Sequence, residues 1–169
     1  MRRFLNLAYG SNLHPARIGR RLPAARCIGV CELAGFSIRF NKRATDGSGK
    51  CNMIATQGES AWAAVYELTP EDARKLHDIE GPGYQAEELD VAGYGTAFYY
   101  AARPSHVDDD ACPYPWYLDF VVWGARHHGF PADYVRMLAA TSTVADTNTA
   151  RERENSEILR DPRWPLRAG

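Results

Sequence analysis

The order of strand-type and helix-type segments is the feature of this sequence that most limits its fold. Strand character dominates up to residue 102, and helical periodicity dominates beyond residue 115. The predicted strands are 4–8, 26–33, 36–41, 52–56, 61–68, 84–92 and 95–102. Because helices do not alternate regularly with these strands, a doubly wound parallel fold is excluded. The pattern predicts an α+β fold whose small, largely antiparallel sheet curls into a barrel.

Helical signals mark several regions of the chain. These are 14–22, 69–79, the run PWYLDFVVWGARHHGF with the following PADYVRMLAAT, and the charged stretch 145–169. The second region has a defined start, because Thr69 can cap the first N–H groups and Pro70 suits the first helical position. It should run to Ile79 and stop at Glu80-Gly81-Pro82, since proline cannot continue a helix. We expect 145–169 to form a surface helix and a tail within a single domain, 1–169.

Composition and charge narrow the class of partner. The chain has 169 residues with 45% hydrophobic content, which suits one ordinary globular domain. Its formal net charge of -1 gives no broad positive surface for nucleic acid or anionic membrane. The basic N-terminus leads into an apolar segment too short for a signal peptide, and no stretch approaches the roughly 18 apolar residues of a membrane span. We therefore expect a cytoplasmic protein with a small-molecule partner, no nucleic acid and no membrane.

Two features that resemble known sites are interpreted as structural. The four cysteines, Cys27, Cys31, Cys51 and Cys112, form no Cys-x-x-Cys pair and have no histidine ligand pattern, so we predict no metal site and interpret them as small buried hydrophobes.

The segment Gly47-Ser48-Gly49-Lys50 is rich in glycine, like a phosphate-binding loop. It lacks the required hydroxyl after the lysine and the required first glycine, and a strand follows. A hairpin loop is predicted there.

A bare, small-residue turn lies between the first strand and the first helix. It reads Tyr9, Gly10, Ser11, Asn12 and Leu13. Such a turn presents consecutive backbone N–H groups with little side-chain cover, which suits an anion or a developing oxyanion. The alternative is a turn that merely caps the next helix.

Glu80 is the candidate acid–base residue. It lies where a predicted helix ends, in the apolar-flanked run DIEGPGY, where a carboxyl group is partly removed from water. The helix dipole disfavours a carboxylate at this end, a small cost that a function would explain. The alternative is an ordinary exposed glutamate.

These residues together resemble the γ-glutamylcyclotransferase family, also called AIG2-like. The resemblance is carried by the turn 9–13 directly after the first strand, by Glu80-Gly81 followed by Tyr84, and by Tyr117 in PWYLDFVVWGARHHGFPADYVRML. It covers about residues 4–140, and the hairpin FNKRATDGSGKCN is similar to that of bacterial members. The resemblance implies a small mixed, largely antiparallel β-barrel flanked by helices.

The resemblance also implies a reaction without a cofactor. The α-amine of a γ-glutamyl group attacks its own γ-carbonyl, releasing an amine or amino acid and forming 5-oxoproline. Glu80 would carry the protons, the backbone N–H groups of Gly10 to Leu13 would bind a substrate carboxylate or carbonyl oxygen, and Tyr9, Tyr84 and Tyr117 would line the pocket. The Tyr-Gly-Ser-Asn turn favours γ-glutamyl amino acids or amines over glutathione.

Two other functions are compatible with the sequence. One is a binding module on the same scaffold that captures a γ-glutamyl or carboxylate ligand without chemistry. The other is a serine or cysteine hydrolase that uses Ser11 or a free cysteine. The second is disfavoured, because no Gly-x-Ser-x-Gly elbow is present and Ser11 has no assignable base.

Overall fold

A computed structural model describes residues 3–164 of the chain. The described part contains five strands, five α-helices and two short 3₁₀ turns. The strands are β1 (Phe4–Ala8), β2 (Arg26–Arg43), β3 (Gly49–Leu68), β4 (Tyr84–Val91) and β5 (Gly95–Ala102). The helices are α1 (Pro15–Arg21), α2 (Pro70–Glu80), α3 (Pro115–His127), α4 (Ala132–Ala139) and α5 (Thr149–Leu159), and the 3₁₀ turns are Ser11–Leu13 and Pro104–His106.

The strands form one mixed sheet in the order β2-β3-β1-β5-β4. Strands β1 and β5 are parallel, with Asn6 opposite Phe98, and the other neighbours are antiparallel. The predicted α+β class and the largely antiparallel sheet are therefore confirmed. The predicted barrel closure is wrong, because β2 and β4 remain at the two edges of the described sheet. Closure would require the two edge strands to pair with each other. Because β2 has 18 residues and β4 has only 8, most of β2 would remain unpaired.

The β2–β3 hairpin replaces four predicted strands by two long ones. Ala34 pairs with Ser60 and Phe36 pairs with Ala55, so the ladder continues past a bulge where the sequence predicts a break at Gly35. The glycine-rich segment forms the hairpin turn, in which the Ala44 N–H donates to the Ser48 carbonyl oxygen at 2.9 Å. A strand follows this turn, as predicted.

Helix α2 forms as predicted, with one residue more at its end. The Thr69 hydroxyl accepts a hydrogen bond from the Asp72 N–H at 3.1 Å and so caps the first turn. Gly81 ends the helix with a φ of 69°, in the left-handed region that glycine adopts without strain. Glu80 is therefore the last helical residue.

Helix α3 packs closely against the turn 9–13 that follows β1. A Cβ atom on Gly124 would lie 2.4 Å from the Cβ of Leu13 and 2.7 Å from the backbone nitrogen of His14. Only a glycine therefore allows this close approach of helix and turn. Phe120 and Val121 of the same helix are fully buried in the core. The turn that follows β1 is thus fixed between a helix and the end of a strand.

The remaining sequence predictions have mixed outcomes. Cys31 and Cys51 are buried as predicted, but Cys27 is exposed and Cys112 partly exposed, so the prediction is wrong for those two. Cys27 lies at the start of β2, close to the preceding turn, and Cys112 lies in the loop before α3. Neither position is within the core. Helix α5 lies within the predicted segment 145–169, and residues 165–169 lie outside the described residues. None of the described helices is long and apolar enough to cross a membrane.

Candidate active site

A pocket lies at the carboxyl end of β1, where the chain turns toward α1. Its volume, including the open mouth, is about 370 Å³. It is lined by Asn6, Leu7, Ala8, Tyr9, Gly10, Ser11, Asn12, Cys51, Glu80, Tyr84, Tyr100 and Tyr117. Seven of the eight predicted site residues are in this set. The eighth, Leu13, is buried beneath the turn, and its N–H donates to the Gly10 carbonyl oxygen at 3.0 Å.

Glu80 is held at the pocket by two side chains of the first turn and helix. Asn12 Nδ2 donates to Glu80 Oε1 at 3.0 Å, and Arg21 Nη1 lies 3.7 Å from the same oxygen. Arg21 also donates to Asn12 Oδ1 at 2.8 Å, which fixes the orientation of the amide. Among the described residues, Glu80 Oε2 has no hydrogen-bond partner. One carboxylate oxygen is therefore fixed and the other is open to a ligand.

Two tyrosines of the pocket wall are bound to the same backbone residue. Tyr84 donates its hydroxyl to the Cys51 carbonyl oxygen at 2.6 Å, and the Tyr117 hydroxyl accepts from the Cys51 N–H at 3.0 Å. Tyr9 donates its hydroxyl to the Tyr100 carbonyl oxygen. Burial raises the pKa of Tyr9, Tyr84 and Tyr117 well above the usual value. These phenols therefore stay protonated and serve as rigid walls and hydrogen-bonding groups.

Ser11 faces a cation and has no base beside it within the described residues. Its Oγ accepts a hydrogen bond from Arg17 Nε at 3.0 Å, and the Arg17 guanidinium lies 4.5 Å from the centre of the Phe120 ring. Burial, together with the charge of Arg21, lowers the pKa of Arg17 to about 9, so the group stays charged at neutral pH. No described residue is placed to deprotonate Ser11. This part of the chain therefore does not supply the base that a serine hydrolase needs.

The backbone of the turn has donors without an acceptor. The N–H groups of Ser11 and Asn12 donate to no backbone carbonyl within residues 3–164, as expected at the start of a short 3₁₀ turn. Both residues line the pocket. The predicted run of N–H donors is therefore shorter than expected, because the donor of Leu13 is used inside the turn.

Several residues of the site are not predicted by the sequence analysis, among them Arg21, Cys51 and Tyr100. Arg21 lies in the basic helix that was predicted after the turn, but nothing in its spacing connected it with Glu80. Cys51 and Tyr100 reach the pocket through the β2–β3 hairpin and through the parallel pairing of β1 with β5. Both contacts depend on topology, and no local motif reports them.

Comparison with known proteins agrees with the fold. The model of the AIG2-like family matches residues 60–138. Human γ-glutamylcyclotransferase is 26% identical over 155 residues, covering 81% of this chain and 78% of that protein.

Two solved structures are similar over nearly their whole length. One, described as a γ-glutamyl cyclotransferase, has a TM-score of 0.81 at 26% identity and covers 94% of this chain and 98% of its own. The other, a protein from Homo sapiens described as uncharacterized, has a TM-score of 0.83 at 27% identity and covers 94% of this chain and 99% of its own. With the mixed sheet and the turn-and-glutamate pocket described above, the chain is similar in sequence and fold to the γ-glutamylcyclotransferase, or AIG2-like, family.

Proposed function

We propose that this protein is an enzyme that converts small γ-glutamyl compounds into 5-oxoproline and a free amine or amino acid. The observation that carries the proposal is the arrangement of Glu80, with Oε1 fixed by Asn12 and Oε2 open at the pocket that contains the predicted turn. The names of the similar human protein and of one similar structure support the same reaction.

The reaction requires a carrier for protons. The substrate α-amine is an ammonium at neutral pH and must lose one proton before it attacks the γ-carbonyl carbon. Attack forms the ring C–N bond, and the ring nitrogen then loses a second proton while the bond to the leaving nitrogen breaks. The leaving amine takes up both protons and departs as an ammonium. One carboxylate that accepts a proton and donates it again on the same face serves both steps.

Glu80 is suited to this transfer by its partial exposure and its fixed orientation. Its side chain is 17% exposed, so it lies at the boundary between pocket and solvent. Asn12 and Arg21 hold Oε1, which leaves Oε2 as the oxygen that exchanges protons. We assign the free N–H groups of Ser11 and Asn12 to the substrate carboxylate or the developing oxyanion.

The pocket contributes by holding the substrate folded. The tyrosine walls are fixed by hydrogen bonds to Cys51 and Tyr100, so they do not need to be ordered when substrate binds. Because the nucleophile and the carbonyl belong to the same molecule, holding the chain in a ring-forming conformation supplies much of the rate acceleration.

The test compares Glu80→Gln with Glu71→Gln in an assay for 5-oxoproline. The first substitution keeps the size of the side chain and its bond from Asn12, but an amide cannot carry the proton. We expect turnover to fall by about 10²- to 10⁴-fold. Glu71 lies in the first turn of the same helix and is exposed, so Glu71→Gln should keep full activity. Near-normal turnover by Glu80→Gln would refute the assignment of the proton carrier.

The same assay distinguishes an enzyme from a binding module. In a binding module, the wild-type protein would produce no 5-oxoproline from any γ-glutamyl compound, while the compound would still raise the melting temperature. Production of 5-oxoproline by the wild type excludes that alternative.

A further inference from the structure

A second cleft adjoins Glu80. We call it the Lys42 cleft, and its lining includes Lys42, Arg43, Glu80, Gly83, Ser105 and His106. Glu80 is the residue shared between the Lys42 cleft and the pocket. A substrate that places its reacting carbonyl beside Glu80 can therefore extend its leaving group into this cleft.

Lys42 is a cation that pairs with no anion in the part of the chain that the structure describes. The residue is only 8% exposed, and its Nζ lies 4.8 Å from the centre of the Tyr84 ring. Among the described residues, Nζ makes no hydrogen bond and no ion pair. Burial lowers the pKa of Lys42, and the charges of Glu80 and Asp46 oppose this effect. The neighbouring Arg43 differs, since it lies 3.5 Å from Asp108.

The fold seats Lys42 at a defined position. A Cβ atom on Gly83 would lie 2.7 Å from Lys42 Cε and 2.8 Å from Nζ, so a larger residue at this position would displace the end of the lysine side chain. The backbone of Lys42 also forms an isolated β-bridge with Val107, which ties the loop after β5 to the hairpin. The ammonium is thus held beside Tyr84, which itself lines the pocket.

An ammonium that is partly removed from water and has no anionic partner is stabilised when an anion joins it. The two arginines nearest the pocket already use their donors within the described residues: Arg21 binds Asn12 and Glu80, and Arg17, which pairs with no anion, donates to the neutral groups of Ser11 and Asn155. Lys42 therefore remains available for a carboxylate that arrives with the substrate.

We propose that Lys42 binds the carboxylate of the leaving amino acid and makes this protein selective for γ-glutamyl amino acids over γ-glutamyl amines. The inference rests on the proposed function, which leaves both classes of substrate open. The carboxylate would lie on the lysine side of the cleft, away from Glu80, and Ser105 and His106 would border it.

The test measures kcat/KM for two matched substrates, γ-glutamylalanine and γ-glutamylethylamide, which differ by the carboxylate. The wild type should prefer γ-glutamylalanine. Lys42→Met should lower kcat/KM for γ-glutamylalanine by about 10- to 100-fold, because one charge-assisted hydrogen bond is lost. The same substitution should change kcat/KM for γ-glutamylethylamide by less than about 3-fold. Lys42→Arg should restore most of the preference. Lys75→Met removes an exposed lysine on α2 and should leave both values unchanged.

A second variant covers the case in which Lys42→Met fails to fold. Gly83→Ala keeps the lysine but displaces its ammonium, so it should also lower kcat/KM for γ-glutamylalanine alone. Equal rates with both substrates in the wild type, or an equal loss with both in the variants, would overturn the role of Lys42. If the wild type makes 5-oxoproline from neither substrate, the proposed function is overturned and the inference with it.

Discussion

Asn12 donates its side-chain amide to Glu80 across the pocket, with 3.0 Å between Nδ2 and Oε1. The two residues are 68 positions apart in sequence, one in the turn after β1 and the other at the end of α2. The contact joins the turn 9–13 to Glu80, which the sequence analysis identifies as two separate motifs.

Substitutions at Asn12 should alter activity through this contact. Asn12→Asp places a second carboxylate against Oε1 and removes the donor, so we expect kcat to fall by about 100-fold or more. Asn12→Ala removes one hydrogen bond to a charged group, which is worth about 1.5–3 kcal/mol, and should lower kcat by about 10-fold. Steady-state kinetics on both variants tests whether Asn12→Asp lowers kcat more than Asn12→Ala does. A more active Asn12→Asp variant would contradict a role for this donor.

The hydroxyls of Tyr84 and Tyr117 should contribute to stability. Each is buried and bound to the backbone of Cys51, so its removal leaves a carbonyl or an N–H group unsatisfied. Tyr84→Phe and Tyr117→Phe should each lower the free energy of unfolding by about 1–3 kcal/mol. Urea denaturation measures this loss, and the double variant should be non-additive because both bonds end on one residue. Unchanged unfolding midpoints would show that water replaces these bonds.

Buried histidines should make the protein less stable in mild acid. Neither ring nitrogen of His14 has a hydrogen-bond partner among the described residues, and its ring packs 5.2 Å from that of Phe120. Burial, with smaller effects of His127 and Arg17, lowers the pKa of His14 to about 4. In the same way, burial lowers the pKa of His128 to about 4, although His128 Nε2 donates to the Leu13 carbonyl oxygen.

Between about pH 6.5 and pH 4 the unfolded chain therefore binds more protons than the folded protein. Stability from each histidine is complete above this window and is lost as the pH falls through it, by on the order of 2–3 kcal/mol per group. Unfolding midpoints measured from pH 7 to pH 4 should fall. His14→Met should make the fall shallower, while the exposed His77→Gln should not. An equally steep fall in His14→Met would contradict the assignment.

Gly124 should be important for activity although it does not line the pocket. Gly124→Ala places a Cβ atom 2.4 Å from Leu13 Cβ and 2.5 Å from its backbone carbon, so helix α3 or the turn must move. We expect a loss of about 1–3 kcal/mol in stability and a loss of turnover larger than the unfolded fraction explains. Circular dichroism and the 5-oxoproline assay measure the two effects together. Full activity in a folded Gly124→Ala variant would show that the position of the turn is not critical.

The sequence predicts the fold class and most of the site because both depend on local signals. The turn 9–13 and the end of α2 are marked by small residues and by Gly81-Pro82, which have strong conformational preferences. The missed features depend on tertiary packing: the β2–β3 ladder that continues past the bulge, the open sheet and the contact of Arg21 with Glu80. The loss of Leu13 from the predicted donors has another cause, because the 3₁₀ turn uses its N–H internally.

The central claim is that the substrate's own amine, and not water, attacks the γ-carbonyl. The most direct test runs the wild-type reaction in water enriched in ¹⁸O and analyses the products by mass spectrometry. Intramolecular attack predicts 5-oxoproline without ¹⁸O and an equal amount of free amine, with product formation slowed by about 10²- to 10⁴-fold in Glu80→Gln. Glutamate that carries ¹⁸O would contradict the account, because it would show hydrolysis by water at this site.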